Sequence, residues 1–87
     1  MSDAVRLDEV MVPITLDYLE EDDVYKVTCL DLPGCHAWGE TLDEAMRAIP
    51  GKIRAMLEVR RANGSIIPPL FEHARAETHF VLRVSPA

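Results

Sequence analysis

The sequence predicts an α+β fold: two layers, β-β-β-α-β in chain order, with a four-stranded mixed sheet and one long helix on one face. Three observations lead there. Apolar and polar residues alternate near both ends of the chain, over residues 10–18 and 78–84, the period of a strand with one buried face. Between them, over residues 42–62, apolar residues recur at three- and four-residue steps, the period of an amphipathic helix. The length of 87 residues, 48% of them apolar, suits one small domain. That domain is expected to fill residues 1–87, with an ordered core of about 10–85 and a loosely ordered polar start over residues 1–9.

In the first strand Val12, Ile14, Leu16 and Tyr18 share the buried face. Pro13 has no N–H to give to a ladder, so one side of this strand is expected to be unpaired near its start. Glu20, Glu21, Asp22 and Asp23 form a solvated turn into a β-rich second strand over residues 24–30. Asp31-Leu32-Pro33-Gly34 predicts a type II turn: proline presets the first central φ and glycine supplies the positive one. A short third strand follows over residues 35–39, with His36 and Trp38 on one face and Cys35, Ala37 and Gly39 on the other.

Thr41-Leu42-Asp43-Glu44 predicts a capping box, with the Thr41 hydroxyl accepting from the Glu44 amide and Glu44 reaching back to residue 41. The helix stripe is Leu42, Ala45, Met46, Ile49, Ile53, Met56 and Leu57. Gly64 suits the left-handed residue just past the end, and Arg60 and Arg61 suit the negative end of the helix dipole. Pro50-Gly51 opposes the helix by about 3 and 1 kcal/mol. The stripe keeps its phase across the pair, which predicts one kinked helix. The prolines of residues 65–72 predict a crossover without regular structure. In the last strand Phe80, Leu82 and Val84 point inward and His79, Val81 and Arg83 outward.

The net charge is −6 and unevenly spread: residues 1–44 carry twelve acids and two basic residues, residues 45–87 three acids and seven basic residues. That distribution disfavours a basic nucleic-acid binder and suits a basic protein partner. The two cysteines are too few for a disulfide scaffold. The apolar stretches are strand-sized and the acidic start lacks an apolar signal region, so a cytoplasmic protein with no membrane partner is expected.

A strand ending in an acidic turn, a second strand running into Asp31-Leu32-Pro33-Gly34-Cys35, then Gly39-Glu40-Thr41-Leu42-Asp43-Glu44-Ala45 and a helix, then Asn63-Gly64-Ser65-Ile66-Ile67-Pro68-Pro69 stand in order over residues 12–69. In this the chain resembles the HicB family of antitoxins. The resemblance implies a partial ribonuclease-H-like fold with sheet order 3-2-1-4. It also implies a partner, a small basic HicA-type toxin that cleaves mRNA and whose active site the antitoxin blocks. Many family members carry a further DNA-binding domain. This sequence stops at Ala87, directly after the fourth strand, so direct DNA binding is not expected from it alone.

Cys29, Cys35 and His36 are the one soft-ligand cluster close in sequence, one short of a four-ligand zinc site; packed, inert cysteines are expected. The ribonuclease-H likeness raises a two-metal nuclease, but only Asp17 faces outward within the first strand, Asp31 sits at a turn, and Asp43 and Glu44 are explained by capping. The reading is therefore a non-enzymatic binding module without cofactor, metal or catalytic residues. Its expected partner-binding residues are Asp22, Asp23, Asp31, Pro33, His36, Trp38 and Glu40, and its turn and cap residues are Pro33, Gly34, Thr41, Glu44 and Gly64. Trp38 anchors a partner if its face of the sheet is bare, and packs under the helix otherwise. A bare face also suits a homodimer or tetramer. The alternatives are a solitary oligomer that binds a small ligand or another protein and, more remotely, a residual metal-dependent nuclease.

Overall fold

The computed structural model describes residues 8–86. In chain order the elements are β1 (Glu9–Leu19), β2 (Val24–Cys29), β3 (His36–Gly39), α1 (Leu42–Asn63), a 3-10 turn (Pro69–Phe71) and β4 (His79–Val84). They build one mixed sheet of order β3-β2-β1-β4, antiparallel except for the β1–β4 pair.

β1 is the central strand, and its two neighbours hardly overlap. Residues 9–14 pair with β4 and residues 14–19 with β2, so Ile14 alone belongs to both ladders. Pro13 stands where the β2 ladder stops. Its carbonyl accepts from the Leu30 amide at 3.2 Å, and its nitrogen offers no proton in return. The sequence-based expectation of a strand unpaired on one side near its start holds in this form. The loosely ordered start expected over residues 1–9 is corrected at its last two residues alone. Residues 1–7 lie outside the described residues, but Glu9 is in the sheet and the Asp8 carbonyl accepts from the His79 amide at 2.8 Å.

α1 runs unbroken through Pro50 and Gly51. Ala45, Ile49, Ile53 and Leu57 form its buried stripe, and they pack with Val12, Ile14, Val27, Cys29 and Ala37 from the sheet. That stripe, roughly a full turn apart per member, supplies the burial that outweighs the helix-breaking pair. Leu42, expected in the stripe, is instead exposed at the first helical position. The Thr41 hydroxyl accepts from the Glu44 amide at 3.1 Å, as expected, but Glu44 Oε1 accepts from the Glu40 amide at 2.8 Å, one residue beyond the expected partner. At the other end Gly64, with φ +71°, donates to Arg61 O, and Ser65 donates to Arg60 O, which is a Schellman motif.

The crossover is more ordered than its prolines suggest. Pro69 opens a single 3-10 turn, where a missing amide costs nothing, and this sets Phe71 fully into the core against Phe80. Three helix arginines hold this segment. Arg60 donates to Ile66 O at 3.0 Å, Arg61 to Ala74 O at 2.7 Å, and Arg54 to Thr78 O at 2.7 Å. The dipole favours Arg60 and Arg61 in the last turn, and the carbonyls account for where all three side chains point.

Candidate functional site

α1 covers one face of the sheet, and among the described residues nothing covers the other. The alternation of β3 decides where Trp38 lies. Ala37 is 1% exposed under the helix, whereas Trp38 is 50% exposed on the bare face with His36. One sequence signal already carried this: Cys35, Ala37 and Gly39 are all small, which suits a strand that a helix crosses closely. At Gly39 a Cβ would stand 2.6 Å from the Ala45 nitrogen.

Cross-strand register lays out the bare face in rows. Trp38, Lys26 and Asp17 form one row across β3, β2 and β1; His36, Thr28 and Thr15 form the next. Lower down, Pro13 pairs with Arg83 and Met11 with Val81. Lys26 Nζ lies 5.9 Å from the Trp38 ring centroid, the outer reach of a cation–π contact. His36 Nδ1 and Thr28 Oγ1 are 3.1 Å apart, and the His36 and Trp38 rings lie 5.8 Å apart at 49°. These contacts fix the rings against the pleat and leave half of the indole to solvent.

The other expected contact residues divide between the two ends of the sheet. Asp22 and Asp23 lie in the β1–β2 turn, and Glu40 directly follows Gly39, which is paired with Tyr25; all three are at the Trp38 end. Asp31 and Pro33 are exposed at the opposite end, beyond a six-residue strand that spans roughly 17–20 Å. Asp23 takes a positive φ of 54°, and its carboxylate accepts the Tyr18 hydroxyl. That hydrogen bond, with minor help from desolvation and charge, pushes the Tyr18 phenol above its ordinary pKa. Pro33 and Gly34 form the expected type II turn: Gly34 has φ +84°, and Cys35 N–H donates to Leu32 O at 3.0 Å.

Cys29 and Cys35 are both 1% exposed, joined by a 3.0 Å bond from the Cys29 amide to the Cys35 carbonyl. The neighbouring Cys29 thiol, together with burial, pushes the Cys35 pKa up. Among the described residues no three His, Cys, Asp or Glu side chains gather closely enough to hold a metal ion. Asp17 stands beside Lys26, Asp43 pairs with Arg47 at 3.0 Å, and Glu44 caps α1, so these acids do not converge. No described helix is long and apolar enough to cross a membrane.

A UPF0150 protein of Archaeoglobus fulgidus is 40% identical over 42 residues, which cover 48% of this chain and 61% of the relative. The match thus spans about three fifths of the length of that relative. No solved structure matches. A family model described as the HicB-like antitoxin of bacterial toxin–antitoxin systems matches residues 12–79. That span runs from the first core residue of β1 to the start of β4 and takes in β2, β3, α1 and every turn and cap described above: the chain belongs to the HicB-like antitoxin family.

Proposed function

We propose that the chain is the antitoxin of a toxin–antitoxin pair and neutralises a small, basic, HicA-type toxin by covering the site with which it cleaves mRNA. The observation that carries this reading is the bare sheet face, with Trp38 half-exposed at the end where Asp22, Asp23 and Glu40 stand. A rigid indole on a strand is a good anchor, because burying it costs little conformational freedom and removes much apolar area from water. Acids at its rim speed the approach of a basic partner and select against acidic ones. A standard interface of about 800 Å² per partner is wide enough to reach both sheet ends, so Asp31 and Pro33 fall within one footprint. In this reading the protein acts by occlusion and performs no chemistry. It works in the cytoplasm, where the mRNA is, as a homodimer or tetramer.

The test is to co-express the chain with a basic small protein encoded beside it, isolate the complex and assay mRNA cleavage. Co-purification with loss of cleavage is expected, and Trp38→Ala should weaken the complex at least tenfold. A neighbouring toxin that stays active in the presence of excess antitoxin would overturn the proposal. Metal-dependent cleavage of RNA by the chain alone would overturn the non-enzymatic part.

A further inference from the structure

On the covered side of the sheet, away from the bare face, the second half of α1 and the crossover enclose a groove of about 340 Å³. Its walls carry Arg54 and Arg61 from the helix and Arg75 from the loop, with Glu58 as the one acid. Its floor is apolar: Leu57 is 2% and Phe80 5% exposed. Two of the arginines are fixed before any ligand arrives. Arg54 Nη2 donates to Thr78 O at 2.7 Å, and its guanidinium lies 4.8 Å above the Phe80 ring. Arg61 Nη2 donates to Ala74 O at 2.7 Å. A guanidinium has five N–H donors, so these bonds leave most of them for a ligand. Among the described residues the one ion pair is Arg47–Asp43, so none of the three groove arginines is in direct contact with a carboxylate.

We infer that this groove binds a small organic oxyanion, a carboxylate or phosphate head carried on a short apolar or aromatic body. The head matches planar guanidiniums that can bond it bidentately, and the body matches the floor of Leu57 and Phe80. The volume lies at the lower end of small-ligand sites. A nucleic-acid backbone fits less well, because it needs basic groups continued along a track, and here Glu58 interrupts them in a chain of net charge −6.

The experiment is an amide-resolved NMR titration of the full chain with phenyl phosphate, benzoate and inorganic phosphate in turn. Saturable shifts confined to residues 54–61 and 74–80 are expected, with phenyl phosphate or benzoate at least tenfold tighter than inorganic phosphate. The tighter of the two aromatic probes identifies the head group. Arg75→Glu should weaken that probe at least tenfold, since the Arg75 side chain holds no part of the fold, while Arg47→Ala should leave it unchanged. If Arg75→Glu disturbs the fold, Ala76→Asp on the exposed rim makes the same test. Shifts elsewhere, no saturation, equal binding of inorganic phosphate, or tighter binding of a single-stranded RNA at the same residues would each overturn the inference.

Discussion

Replacing Gly39 and Gly51 by alanine adds the same methyl group at two places and should move stability in opposite directions. At Gly39 the new Cβ would lie 2.6 Å from the Ala45 nitrogen, 2.7 Å from Glu44 Cβ and 3.0 Å from the Glu44 carbonyl carbon. Two of these are backbone atoms in the first turn of α1, so no rotamer change relieves the clash. Reaching ordinary contact near 3.4 Å requires the helix start to move by about 0.8 Å. That movement lifts Ala45, which is fully buried, off Ala37, and strains the Thr41–Glu44 cap. Overpacking of this kind costs about 1–3 kcal/mol and a lost cap about 1 kcal/mol more, so a loss of roughly 2–4 kcal/mol is expected. At Gly51 nothing lies within 4 Å and the backbone is helical, so alanine should gain up to about 1 kcal/mol. Urea unfolding followed by far-ultraviolet circular dichroism, at one protein concentration because assembly shifts the midpoint, measures both. In thermal melts the Gly39 variant should fall by roughly 10–25 °C. A Gly39→Ala protein within about 0.5 kcal/mol of the parent, or a Gly51→Ala protein as unstable as the Gly39 variant, would refute this account of helix-to-sheet contact.

Gly64→Ala should cost about 1–2 kcal/mol although its surroundings are open, because φ of +71° strains any residue with a Cβ; the same unfolding assay reads it. The Tyr18–Asp23 hydrogen bond raises the folded-state pKa of the phenol. Its contribution is therefore complete below the ordinary tyrosine range near 10 and disappears as pH rises through the higher folded value. A tyrosinate absorbance titration should find one group above the normal range, and Asp23→Asn should bring it down. Trp38→Ala should change stability by less than about 1 kcal/mol, since the indole is 50% exposed and on the face opposite the helix; a larger loss in urea would mean that the ring holds the sheet together.

The readable parts of the fold were those written in local chemistry. Alternation located β1 and β4, Pro33-Gly34 located the turn before β3, and Thr41 and Gly64 marked both ends of α1. The sheet order came through the family resemblance, because no residue in β1 states that it will lie beside β4. The crossover was misjudged for a related reason. Arg54 and Arg61 find carbonyls 24 and 13 residues away, and such pairs exist only once Phe71 has been buried and the chain has turned back. From sequence alone those arginines resemble solvated charges. The candidate site divides the same way: His36 and Trp38 were correctly placed on one face, whereas Asp31 and Pro33 stand beyond the His36 end of β3, at the other end of the sheet from Asp22, Asp23 and Glu40.

The stagger of β1 makes this strand a splice between two unequal halves, an antiparallel hairpin with β2 and a parallel pairing with β4. Its upper part zips to β2 through a four-residue turn, a short loop to close. Its lower part waits for β4, about seventy residues later in the chain, and that loop carries a far larger entropic toll. Amides in residues 15–19 should therefore gain protection from exchange early in refolding. Those facing β4 in residues 10–14 should follow only after the helix has docked, so the last-formed seam of the protein runs through the middle of its central strand.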